Sequence, residues 1–247
     1  MPSNSAFPTD LSFRIYGDDL QYVETFLAPQ NAMIAEPGSM IYKDDSIVFE
    51  ASLSTNKDAG FLGRLVGAGK RVLSGENAFL SVFINQGNDY ARVAFSAPYP
   101  GKIVALPLNE YGGRIICQKD SFLCASQDTE VSIFFQKKIL TALFGGGGFI
   151  MQELSGNGVV FINGGGAIAE RELKAGETIQ TDVGCLVAFT PSVDFGIESA
   201  GNMKSQLFGG SGVFFATLRG PGKVWIQSLP FTRLVQRVAS RIIIQVK

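Results

Sequence analysis

The side chains of this 247-residue chain that could do chemistry are three cysteines, three acidic pairs and one lysine in a glycine run. Cys117, Cys124 and Cys185 raise the chemistry of a reactive thiol. A nucleophilic thiol needs a neighbouring base, and the chain contains no histidine. That absence removes Ser-His-Asp and Cys-His catalysis and the commonest metal ligand. It also removes the His-rich metal site of the enzymatic cupins, whose strand rhythm "RELKAGETIQTDVGCLVAFTPSVDFGI" otherwise echoes. An odd cysteine count with no tight spacing fits a reducing compartment, and the three thiols read as small buried hydrophobes.

The acidic pairs Asp18–Asp19, Asp44–Asp45 and Glu170–Glu172 raise a second chemistry, a glycosidase-like pair of carboxylates. Asp45 and Asp120 are expected in a repeated turn, where Asp commonly bonds its own backbone. Glu170 and Glu172 are two apart on an expected strand, so they share one face and read as solvated. Lys70 in "GRLVGAGKRV" raises phosphate binding. The first glycine stands one place too early for a P-loop, and Arg71 replaces the Ser or Thr that would bind magnesium. No glycine fingerprint stands between a strand and a helix. The reading is therefore non-enzymatic, with no catalytic residue, no metal and no cofactor expected.

Basic side chains form the remaining constellation. In the tail "LPFTRLVQRVASRI", Arg233, Arg237 and Arg241 recur at i, i+4 and i+8. Leu234, Val238 and Ile242 line the adjacent stripe, and Pro230 suits a helix start. Such a helix can lie on an anionic membrane, dock a protein partner, or pack on its own body. Residues 59–73, "AGFLGRLVGAGKRVL", read as a second short helix carrying Arg64, Lys70 and Arg71.

The rest of the chain must position these side chains, and its signals are those of strands. Runs such as "AFLSVFI", "ARVAFSA", "GVVFIN" and "KVWIQSL" are short, β-branched or aromatic, and are punctuated by Gly, Pro, Asn and Asp. Hydrophobic residues make up 46% and charged residues 17%, so the chain is globular. With 21 basic and 22 acidic side chains it lacks the basic excess that nucleic-acid binding draws on, and no nucleic acid is expected. Met1–Asp10 shows no signal-peptide pattern, and residues 139–151 are too short for a membrane-spanning helix.

Internal repeats set the organisation. "LFGGGGFIMQELSGNGVVFING" from Leu143 and "LFGGSGVFFATLRGPGKVWIQS" from Leu207 agree at ten of 22 positions without a gap. A segment from Gly112 matches one from Ala175 at nearly the same offset, which sets Cys124 over Val187 and Cys185 over Phe122. "GSMIYKDDSIVFEAS" from Gly38 matches "GRIICQKDSFLCAS" from Gly113, with Ile41 over Ile116 and Asp45 over Asp120. The glycines read as corners of a repeated β module. Trp225 falls over Phe161 and reads as core. The expected fold is all-β, with three tandem β-sandwich or double-stranded β-helix-like units. They span residues 1–98 (with the helical insertion near 59–73), 99–162 and 163–228, and a helical tail covers 229–247.

The two glycine segments, with "LSG" in the first and "GPGKVW" in the second, resemble the family named for altered inheritance of mitochondria over about residues 12–230. That resemblance implies a fold like the trp RNA-binding attenuation protein, in which small β units assemble into rings. It implies a homotrimer, hence a nine-unit ring. Eukaryotic relatives are linked to mitochondrial inner-membrane organisation, bacterial members have no established activity, and no site residues come with the family. The expected protein is cytoplasmic, peripheral to the inner membrane if the tail binds lipid. It is a ring-forming scaffold that organises a membrane surface or a protein partner through Arg233, Arg237, Arg241, Leu234 and Val238. The alternative is a small-molecule-binding protein with pockets between units or subunits.

Overall fold

The computed structural model describes residues 11–52, 73–74, 80–137, 148–199 and 214–241. Short β-branched runs broken by turn residues become strands of four to nine residues, apart from one two-residue strand, and these assemble into four sheets. The first sheet carries, in order, β1 (Ser12–Tyr16), β2 (Tyr22–Leu27), β8 (Ala91–Ser96) and β4 (Met40–Lys43). The second carries β5 (Ile47–Ser52), β7 (Leu80–Asn85), β3 (Ala32–Ala35), β11 (Phe122–Ser126), β14 (Val159–Gly165) and β9 (Gly101–Pro107). The third runs β15 (Ile168–Leu173), β20 (Gly222–Gln227), β17 (Leu186–Phe189), β10 (Arg114–Gln118), β13 (Phe149–Gly156), β12 (Thr129–Lys137) and the short β6 (Leu73–Ser74). The fourth holds β16 (Thr178–Asp182), β19 (Phe214–Arg219) and β18 (Asp194–Ser199). One α-helix among the described residues, α1 (Phe231–Ala239), follows the last strand.

The same antiparallel pairings occur three times. β8 lies between β2 and β4, β14 between β9 and β11, and β20 between β15 and β17. β7 lies between β3 and β5, β13 between β10 and β12, and β19 between β16 and β18. A register shift sits at one place in each first triplet, at Met40/Tyr42, Phe122/Cys124 and Leu186/Ala188. Tyr42, Cys124 and Ala188 are therefore equivalent positions.

Two joints weld these triplets into the large inner sheets. β11 pairs β3 with Cys124 opposite Ala35 and Ala125 opposite Ile34. β17 pairs β10 with Ala188 opposite Cys117 and Phe189 opposite Ile116. The central strands of the inner sheets, β3, β7, β11, β14 and β17, are buried on both faces, so they are nearly continuous apolar runs. On β7, Leu80, Val82 and Ile84 enter the central core while Phe83 enters the first. The third core, around Ile116, Phe149, Leu186 and Leu218, lies between the third sheet and the fourth.

The ladders correct three sequence alignments. Cys124 corresponds to Ala188, one residue from Val187, and Cys185 corresponds to Ser121, one residue from Phe122. The match of Gly38 onward with Gly113 onward is off by a whole strand. Ile41 lies on β4, which pairs β8, whereas Ile116 lies on β10, which pairs β13. The physical reason is degeneracy, since any short apolar strand can be slid onto another when only the period of two distinguishes them. Of the helical reading over 59–73, residues 59–72 lie outside the described residues, and Leu73 is in β6.

Most of both glycine runs, residues 145–147 and 207–213, lies outside the described residues. The glycines that follow are corners. Gly156 has φ +128°, and a Cβ there would overlap the Asp128 carbonyl oxygen. At Gly222, with φ +146°, a Cβ would overlap the Thr190 hydroxyl.

Candidate functional site

The tail forms the helix that its pattern predicts, but a shorter one. Helix α1 starts after Pro230, whose φ of −60° is compatible with the entry, and ends at Ala239. At its end the Arg241 N–H bonds the Val238 carbonyl at 3.0 Å, three residues back instead of four. The Ser240 hydroxyl also donates to the Arg237 carbonyl at 2.9 Å. This tightening takes Arg241 out of the helix and off the stripe predicted for Arg233 and Arg237. Ile242 lies outside the described residues.

Arg233 is turned to the protein. Its guanidinium lies 3.5 Å from the Asp182 carboxylate and 3.6 Å from the Cys185 sulfur. In the same first turn Phe231 stacks on Tyr99 with ring centroids 5.3 Å apart. The rest of the helix is not packed down, and no residue of α1 is buried. Phe231, Leu234, Val235 and Val238 stand at i, i+3, i+4 and i+7, which is one helix face. Phe231, Val235 and Val238 are 46%, 45% and 53% exposed. Sequence reasoning had placed Leu234 and Val238 on this stripe but missed Phe231, Val235 and the anchors Asp182 and Tyr99. The i, i+3, i+4, i+7 template would have found the first two. The anchors carry no sequence signal, because they come from distant strands.

The other candidate side chains are occupied structurally. All three thiols are buried, and burial pushes each above the ordinary thiol range, so the neutral form is held. Glu170 is more than a solvated carboxylate. It accepts from Lys223 Nζ at 2.6 Å and from the indole N–H of fully buried Trp225 at 3.1 Å. Asp44 takes the backbone N–H of Arg92 at 2.8 Å and the Arg92 guanidinium at 3.2 Å, which holds its carboxyl below the usual range. Asp45 shares no turn with Asp120. Asp120 sits in a 3-10 turn over Lys119–Ser121, and Asp45 follows β4.

A cleft of about 510 Å³ lies where β10 and β17 meet. Tyr111, Arg114, Thr190, Ser192 and Lys223 line it, with Glu110 at its wall. The Lys223 ammonium lies 5.9 Å from the centre of the Tyr111 ring, which packs edge-on against Trp225 at 5.6 Å.

No helix among the described residues is long and apolar enough to cross a membrane. The family profile described as mitochondrial biogenesis AIM24 matches residues 13–229. No curated protein matches the chain. Among solved structures, the chain is similar to the crystal structure of a Streptococcus pyogenes protein determined as a structural-genomics target. The two are 24% identical with a TM-score of 0.74, over 94% of this chain and 100% of that one. This likeness shows a shared fold.

Proposed function

Because the chain belongs to the mitochondrial biogenesis AIM24 family, matched over residues 13–229, we propose that it is a non-enzymatic, ring-forming β scaffold that presents helix α1 to an anionic membrane surface. The observation that carries this reading is the outward apolar pair Val235 and Val238, on a helix whose first turn is anchored by Arg233 on Asp182 and by Phe231 on Tyr99. Residues 231–241 include three arginines and no acidic side chain, which favours a lipid surface with negative headgroups. One such helix binds weakly. A cyclic assembly sets every copy of α1 on the same side of the ring, so the weak contacts act together. Three chains per ring is the stoichiometry we propose.

Flotation of the full chain with vesicles of anionic and of neutral lipid tests this. The full chain should float with anionic vesicles only, and deletion of residues 229–247 should abolish it. Equal recovery of both proteins in the bottom fraction would sink the membrane reading.

A second reading is favoured by the cleft at the β10–β17 joint, whose Arg114, Lys223, Ser192 and Tyr111 could hold a small polar ligand. A metabolite that raises the melting temperature of the purified protein, and fails to do so when Lys223 is replaced by Ala, would support it.

A further inference from the structure

Each inner sheet is welded from two triplets, whereas each outer sheet holds one triplet, joined in the first sheet by β1, and leaves one welding strand open. In the second and third sheets the joint strands β11, β3, β17 and β10 lie inside a sheet. Their equivalents at the two ends of the chain do not. β4 is an edge of the first sheet, and β16 is an edge of the fourth.

Burial follows pairing. Phe122, Leu123 and Cys124 on β11 are at most 1% exposed, whereas the equivalent Met40, Ile41 and Tyr42 on β4 are 39%, 48% and 38% exposed. On the other side, β3 is buried throughout and β10 nearly so, while β16 alternates between exposed and half-buried residues. The apolar content of β4 suits a covered strand, and within the described chain nothing pairs its outer edge. The free strand that matches it is β16, because β16 stands where β3 and β10 stand in the two joints already formed.

We infer that β4 of one chain pairs with β16 of a second copy, antiparallel, with Tyr42 opposite the partner's Thr181 and Lys43 opposite the partner's Gln180. The register comes from the two internal joints, which agree with each other. Cys124 opposite Ala35 and Ala188 opposite Cys117 both map onto Tyr42 opposite Thr181. Ala125 opposite Ile34 and Phe189 opposite Ile116 both map onto Lys43 opposite Gln180. The contact is edge to edge and not face to face, since Thr178, Gln180 and Asp182 on β16 are exposed polar residues that stay in water. It is heterologous, because each chain offers β4 to one neighbour and β16 to the other, and such contacts make a ring where the rotation between copies closes. This inference rests on the assembly part of the proposed function and names the strands that make it.

Paired cysteines test it. Directly opposite residues on antiparallel strands have Cβ atoms about 4.5–5.5 Å apart, close to disulfide reach. The full-length Lys43→Cys, Gln180→Cys double variant, oxidised mildly, should run on a denaturing gel as multiples of the chain mass that reducing agent collapses. Neither single variant should do so, and the wild type serves as the control for its buried native thiols. Ile41→Asp should independently lower the native mass to that of one chain, with the melting transition retained because Ile41 is already exposed. Covalent dimers from either single variant would mean like-with-like edge pairing and overturn the inference. A faster-running band of single-chain mass would mean closure within one chain and overturn it too. An oligomeric wild type that resists both the cross-link and Ile41→Asp would overturn these strands while leaving the ring reading intact. A monomeric wild type would remove both.

Discussion

Arg233 reaches Asp182 at 3.5 Å, so helix α1 is tied by its polar side to the last residue of the open edge strand β16. Both side chains are about half exposed, and a pair of this kind contributes less than about 1 kcal/mol. Arg233→Ala, which leaves Asp182 capping the Gly184 N–H, should therefore leave the melting temperature nearly unchanged. It should instead speed amide exchange across residues 231–239, because only the Phe231–Tyr99 contact would still anchor the first turn. Unchanged exchange would show that the ring contact alone holds the helix.

The exposed stripe of α1 makes a second prediction. Val235→Asp with Val238→Asp places two charges on the apolar face without touching any buried contact. Flotation with anionic vesicles should be lost while the unfolding transition stays in place. Arg237→Glu with Arg241→Glu should weaken flotation, and added salt should weaken the wild type in the same way, since screening acts on exposed charges. Binding that survives all of these would point to a different surface.

Glu36 sets a pH dependence. Burial pushes its carboxyl from the ordinary 4.5 up to about 7, with Lys119 pulling it down and Asp120 adding to the rise. A carboxyl raised in the folded state binds its proton more tightly there than in the unfolded chain. Its stabilising contribution is complete below about pH 4.5 and is lost as the pH climbs through 7. Gln118, the equivalent residue beside the second joint, is already a neutral amide. Glu36→Gln should thus stabilise the protein at pH 8 by about 1–3 kcal/mol and have little effect at pH 4.5. Denaturant unfolding at the two pH values measures the difference, and equal shifts at both would refute the assignment.

Glu170 and Trp225 face each other across the β15–β20 ladder. Glu170→Ala strands a buried indole N–H and frees Lys223, which should cost about 1–3 kcal/mol in chemical denaturation. Trp225→Phe in the Glu170→Ala background should add less than it does in the wild type, because the lost hydrogen bond is counted only once.

Much of the architecture was readable beforehand. Strands, turn glycines and the tail helix are local features, written in β-branched runs, in backbone corners with no room for a Cβ, and in an apolar spacing of three and four. The offset of 64 between the two glycine segments holds across the β13–β14 and β19–β20 hairpins, since their corners Gly156 and Gly158 recur as Gly220 and Gly222. The match from Gly38 failed because Ile41 and Ile116 are equally good strand residues, and only a hydrogen-bonded partner says which strand each belongs to. Likewise, the spacing of Arg233 and Arg237 was plain, yet Asp182 and Tyr99 lie far off in the chain and carry no mark of their role.

By itself the sequence determined an all-β chain with a basic amphipathic tail and no histidine chemistry, because propensity, turn geometry and residue identity are local. The tertiary structure alone decided that Met40, Ile41 and Tyr42 stand exposed while Phe122, Leu123 and Cys124 do not. Equivalent apolar strands differ only in whether a neighbouring strand comes to lie against them, and that neighbour is supplied by the fold.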